Sequence, residues 1–270
     1  HLSVMRSSLL GSLLQVLKFN LDRKASRVRV FELGRVFFKD AAVEESDTTV
    51  KGFDQPMRVA GLAYGSNAPL QWGGQDGRVD FFDVKGDVQA LLAPLQAQFE
   101  PAEHPAMHPG RCARVVLAGQ EIGHVGELHP QWCQQWDLPQ APVMFELALQ
   151  AVLQRPVPQF TPVPKHQAVE RDIAVVVKES VTHAQLMAAV HAAVPAQTLR
   201  SAVLFDVFRP KKLKPGEVAS AGALAHDEKS LAVRLTLGRQ AEALTDADID
   251  AAMQAVIAAL AEQLGAKLRG

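Results

Sequence analysis

The chain has 270 residues, 48% of them hydrophobic and 21% charged, which allows two domains whose cores need neither disulfides nor a structural metal. A formal net charge of -1 excludes a wholesale polyelectrolyte binder, so any contact with nucleic acid has to be local. No apolar run approaches the roughly 20 residues of a membrane-spanning helix, and two cysteines, Cys112 and Cys133, set up no disulfide framework; they read as reduced thiols of a cytoplasmic protein.

The opening "HLSVMRSSLLGSLL" lacks the charged start and cleavage site of a secretion signal, and it lacks an initiator Met, which leads one to expect a piece of a longer protein. Leu9, Leu10, Leu13, Leu14, Leu17 and Leu21 recur at helical spacing and predict an amphipathic first helix. "RVRVFELGRVFF" and "MRVAGLAYG" are rich in β-formers and predict strands. In "FFDVKGDVQALLAPL", Val84, Val88, Leu91, Leu92 and Leu95 share a helix face. "RCARVVLAGQEIGHVGEL" predicts a hairpin turning at Ala118-Gly119-Gln120, and "APVMFELAL" a further strand. Strands and helices without βαβ alternation predict an antiparallel sheet flanked by helices.

"LQRPVPQFTPVPKH" carries Pro156, Pro158, Pro162 and Pro164, which forbid helix and predict an extended, semi-rigid connector with the join near Pro164. Beyond it, "RDIAVVV" suits a central strand. Thr182 with Gln185, and Thr245 with Asp248, mark helix starts, and Gly265 sits where a helix C-cap belongs. With "LRSAVLFDVF" and "KSLAVRLTL" as strands and "AKLR" as a short edge strand, the order is βαββαβ, a ferredoxin-like unit that exposes one sheet face.

His104, His108 and Cys112, with His124, His129 and Cys133 downstream, invite a metal reading and hence a metal-dependent hydrolase. Pro105 and Pro109 break any helix that would align them, and no metal-ligand spacing appears, so "HPAMHPGRC" reads as loop. "WGGQDG" matches no phosphate-cradling pattern, and Glu127 is a lone carboxylate suited to a turn hydrogen bond. No catalytic residues are assigned. The distinctive stretch is "SAVLFDVFRPKKLKPGE": Asp206 and Phe208 alternate on one side of a strand, and Arg209, Lys211, Lys212 and Lys214 follow. An aromatic stacks on a base, a carboxylate accepts from base amino or imino groups, and cations track phosphates.

"VMRSSLLGSLL", "FELGRVF", "DFFDVKGDVQALL", "HPGRCARVVLAGQEIGHVGELHP", "VERDIAVVV", "VLFDVFR", "KSLAVRLTL" and "LTDADIDAAMQAVIAAL" resemble, in order, the β subunit of bacterial phenylalanyl-tRNA synthetase. The resemblance implies an α+β chain: residues 1–153 as a catalytic-like domain, N-terminally incomplete, with a partial class II synthetase-like antiparallel sheet that has lost its catalytic motifs. It implies a linker at 154–164 and a ferredoxin-fold anticodon-binding domain at 165–270. It implies packing against a catalytic α subunit in an α2β2 tetramer, which carries the ATP- and magnesium-dependent chemistry, and no cofactor in this segment. It also implies that Ala174, Asp206 and Phe208 match positions that contact the anticodon of the phenylalanine tRNA. The family often has Tyr where Phe208 stands, and a shorter loop than "PGEVASAGALAHDE". The rival from another class is a ferredoxin-like module that senses a small molecule; the Gly-containing ligand turn of such modules is missing after "RDIAVVV".

Overall fold

The computed structural model describes residues 4–74, 77–160, 162–210, 224–240 and 242–269, and divides into two compact units, 1–158 and 159–270.

The first unit opens with α1 (Leu10–Leu21), β1 (Arg27–Arg35), the short pair β2 (Phe38–Lys39) and β3 (Phe53–Asp54), β4 (Met57–Gly65) and α2 (Phe81–Leu92). It continues with β5 (Gln98–Pro101), β6 (Met107–Leu117), β7 (Gln120–Leu128), α3 (Pro130–Gln135), β8 (Val143–Ala148) and α4 (Leu149–Leu153). Six strands form one antiparallel sheet in the order β1-β4-β8-β7-β6-β5. The leucine stripe of α1 is buried on one side with Leu62, Tyr64, Leu128 and Met144. Val84, Val88 and Leu92 of α2 and Val152 of α4 pack on the other with Val115, Val125 and Leu147. Alternation along β8 explains the split, since Met144 joins the first cluster and Val143, Phe145 and Leu147 the second. Asp80 and Asp83 close a capping box at the start of α2.

The hairpin turn is tighter than expected: Leu117 pairs with Gln120, leaving only Ala118 (φ 49°) and Gly119 (φ 79°) in the loop. Two consecutive positive φ values are the signature of a turn whose twist matches that of its strands. The expectation of a loop through "HPAMHPGRC" is corrected. β6 already starts at Met107, and the partners jump from Met107 to Cys112, so His108–Arg111 form an irregularity within the strand.

The second unit runs β9 (Val169–Lys178), α5 (His183–Ala193), β10 (Leu199–Phe208), β11 (Glu228–Leu237), α6 (Asp246–Leu264) and β12 (Lys267–Leu268). Its four-stranded antiparallel sheet has the order β10-β11-β9-β12, the ferredoxin-like arrangement in which "RDIAVVV" is central. Both capping boxes form, Thr182 with Gln185 and Thr245 with Asp248. Gly265 ends α6 at φ 62°, a left-handed cap that turns the chain into β12. Leu186 and Val190 of α5 and Ile249, Val256 and Leu260 of α6 share a core with Ile173, Val175, Val177, Leu231, Val233 and Leu235. Both helices therefore cover the same sheet face.

Candidate nucleic-acid interface

Period-2 alternation sends Ile173, Val175 and Val177 of β9 into the core, so Asp172, Ala174 and Val176 stand on the open face. Cross-strand partners share a face, and register extends the assignment. Ala174 pairs with Ala232, and Ala232 with Asp206; Val176 pairs with Ser230, and Ser230 with Phe208. Ala174, Ala232 and Asp206 thus lie in one row across three strands, with Phe208 in the row beside it.

That placement depends on an irregularity in β10. Leu204 pairs with Val233 and packs on the core, so strict alternation would turn Asp206 and Phe208 inward as well. Instead the next partnered residue is Asp206, opposite Ala232, and Phe205 is left over. One extra residue in a bulge re-phases the strand and brings Asp206 and Phe208 to the open side. Phe205 is there too: its ring lies 5.4 Å from the Arg234 guanidinium, and it is about half exposed. The face thus carries two aromatic rings, Phe208 and Phe205, where the sequence pattern points to Phe208 alone. Between them, two alanine methyls make a shallow floor, and the Asp206 carboxylate makes no hydrogen bond or ion pair with any other described residue.

Charge around the face is mostly matched internally. Arg234 grips Asp172 with two 2.8 Å hydrogen bonds and lies 3.5 Å from Glu170. The Arg234 hydrogen bonds hold the Asp172 carboxyl below the usual carboxylate range. Lys178 meets Asp227 at 2.7 Å. Arg209, the first cation after β10, donates to both Glu179 carboxylate oxygens at 2.9–3.2 Å, and those bonds lower the Glu179 pKa. A phosphate reaching Arg209 has to compete with Glu179. Lys211, Lys212 and Lys214 lie outside the described residues. A cation not singled out from sequence, Arg269, follows β12: its backbone N–H donates to the Ala174 carbonyl at 2.9 Å, and its guanidinium sits 5.0 Å from the centre of the Phe208 ring. Only the pairing of the edge strand with β9 brings it there.

The histidines and cysteines of the first unit do not assemble into a comparable site. His104 and His124 come together with ring centres 5.0 Å apart, in a cleft also lined by Arg58, Glu121 and Glu146. Burial first, and His124 second, lower the His104 pKa. His108 and His129 use their Nδ1 atoms to accept from the local backbone at Gly110 and Gln131. Burial pushes the Cys112 thiol up to about 11 and raises Cys133 as well, so neither is a ready thiolate. Among the described residues no group of three His, Cys, Asp or Glu side chains is placed to hold a metal ion. Glu127 pairs with Arg111 at 2.7 Å. Gln75 and Asp76 of "WGGQDG" lie outside the described residues.

Comparison with known proteins converges on one family. Residues 1–149 match the model of the phenylalanyl tRNA synthetase beta chain CLM domain, and residues 164–269 that of the ferredoxin-fold anticodon binding domain. The chain is 51% identical over 271 residues to the phenylalanine–tRNA ligase beta subunit of Ralstonia nicotianae, covering 99% of this chain and 33% of that protein. The same subunit from Cupriavidus pinatubonensis is 48% identical over 274 residues, covering 100% and 33%. That of Chromobacterium violaceum is 46% identical over 269 residues, covering 100% and 32%. The chain spans about a third of the length of these relatives.

Proposed function

The chain belongs to the phenylalanine–tRNA ligase β-subunit family, and from that premise we propose that the open sheet face of its second unit binds the anticodon stem-loop of the phenylalanine tRNA. The observation that carries the reading is the row Ala174–Ala232–Asp206 with Phe208 beside it. Small methyls let a base approach the sheet, Asp206 offers base N–H groups an acceptor that has no partner among the described residues, and Phe208 offers a ring for stacking worth about 1–3 kcal/mol. Arg209, Lys211, Lys212 and Lys214 supply charge to the neighbouring backbone, Arg209 by exchanging Glu179 for a phosphate. Phe in place of the family's frequent Tyr keeps the stacking and omits a hydroxyl hydrogen bond.

In this proposal residues 1–153 form a catalytic-like domain of class II type that packs against the catalytic α subunit in an α2β2 assembly, residues 154–164 link, and residues 165–270 bind RNA. Phe31, Leu33 and Phe82 stand exposed on the first unit and are the kind of apolar surface such a partner covers. The family's ATP and magnesium chemistry is assigned to the α subunit. The residues of this chain contribute binding and orientation of the tRNA, with no step of the chemistry routed through them.

Titration with phenylalanine tRNA and an anticodon-substituted version tests the reading. The native chain prefers the native anticodon. Asp206→Ala removes that preference, and Phe208→Ala weakens binding about tenfold. Equal binding of the two tRNAs by the unaltered chain would overturn it.

A further inference from the structure

The cations on and beside the open face fall into two groups among the described residues; Lys165, Arg171 and Arg200 also lack a carboxylate partner but do not stand in the open-face rows. Arg234, Lys178, Arg209 and Lys229 each lie within 4.0 Å of a carboxylate. Lys267 and Arg269 have no carboxylate partner among the described residues. Both reach the open face from β12. Lys267 pairs with Val176, and Arg269 follows two residues later, donating its N–H to the Ala174 carbonyl. The two side chains therefore stand at the ends of the two rows that terminate, across the sheet, in Phe208 and Asp206. Arg269 leans inward until its guanidinium lies over one side of the Phe208 ring.

Resting on the proposed anticodon-binding reading, we infer that Lys267 and Arg269 form the phosphate-contacting edge of this face, and that Arg269 also braces Phe208. Unmatched cations are the ones that release counterions when they meet a phosphate; a cation already facing a carboxylate gains less, because it loses one partner in taking the other. β12 thereby supplies charge at the edge of the sheet opposite β10. An RNA strand crossing the rows keeps its bases over the alanine floor beside Asp206 and Phe208, with its backbone along β12. Stacking of a guanidinium on an aromatic ring holds the ring upright, and the ring's other side remains for a base.

Salt dependence separates these roles. Binding of phenylalanine tRNA to the whole chain is measured over a range of salt for the unaltered protein, K267A/R269A, R269K, R209A and D206A. Two lost contacts to a single-stranded segment make the slope of log K against log salt shallower by about 1.4 in K267A/R269A. R209A changes the slope by less than half as much. R269K keeps the slope and weakens binding about two- to fivefold through loss of the planar stack. D206A leaves the slope alone and removes anticodon preference. An unchanged slope in K267A/R269A, with D206A behaving as stated, overturns the β12 edge while the anticodon reading stands. Loss of slope in K267A/R269A with no anticodon preference in the unaltered chain leaves β12 as a phosphate edge and sinks the anticodon reading. No binding by the unaltered chain at low salt overturns both.

Discussion

In the first unit helices lie on both faces of the sheet, α1 on one and α2 with α4 on the other, whereas in the second α5 and α6 share one face and leave the other open. The difference shows in what the polar side chains do. A single register row of the first sheet carries Glu32, Ala60, Glu146, His124, Arg114 and Glu100. Nearly all of its polar members are matched at home: Arg6 takes Glu32, Ser8 and the Leu9 N–H take Glu146, and Arg114 takes Glu100. On the open face of the second sheet Asp206, Lys267 and Arg269 have no such partners among the described residues. A covered face is a packing problem solved within the chain. An uncovered one whose polar groups remain unmatched is a surface prepared for something else.

The largest effect that sharpens this comparison is on stability. Leu260 is fully buried in the core of the second unit, so Leu260→Ala costs about 2–5 kcal/mol there. Chemical denaturation followed by near-UV signals of Trp132 and Trp136, which pack against the first unit's core, leaves that unit's transition in place while far-UV loss comes earlier. A common shift of both signals contradicts separate cores.

Acid affects the two units through different groups, and the effect is smaller. The His104 pKa is lowered in the fold, so its contribution is fully present above the unfolded value of about 6.5 and is lost as pH falls below it. His104→Asn flattens that dependence, keeping an acceptor for the Ala106 N–H. In the second unit Asp172, Glu179 and Asp248 have lowered pKa values, so their contributions hold above the ordinary carboxylate range of about 4 and fade as pH falls through the folded values. These pairs are exposed, so Arg234→Gln removes only a small part of that acid sensitivity. Equilibrium unfolding between pH 3 and 7, about the range set by these groups, reads both; His104→Asn leaving the near-neutral slope intact contradicts the first assignment.

How much of this was legible in the sequence follows the range of the interactions involved. The capping boxes at Thr182 and Thr245 and the glycine cap at Gly265 are local chemistry, and they stand where the residues put them. The side shared by Asp206 and Phe208 was legible as well, because the two are separated by a single residue. What could not be read was the bulge that turns that side outward. It shows only when β10 is set against β11, and it brings Asp206 and Phe208 to the face where alternation already puts Phe205. Arg269 was hidden for a similar reason: 61 positions separate it from Phe208, and only the β12–β9 pairing closes the distance. Strand formation through "HPGR" is hidden because a proline followed by a glycine looks like turn punctuation, while an irregular strand accommodates both.

The measurement that bears most directly on the central claim is a methyl and amide NMR titration of the chain with the anticodon stem-loop RNA. The strongest perturbations are expected at the Ala174 and Ala232 methyls and at the amides of Ser230, Asp206 and Phe208, with α5 and α6 silent. Perturbations centred on the helices, with the two alanine methyls unmoved, would contradict it.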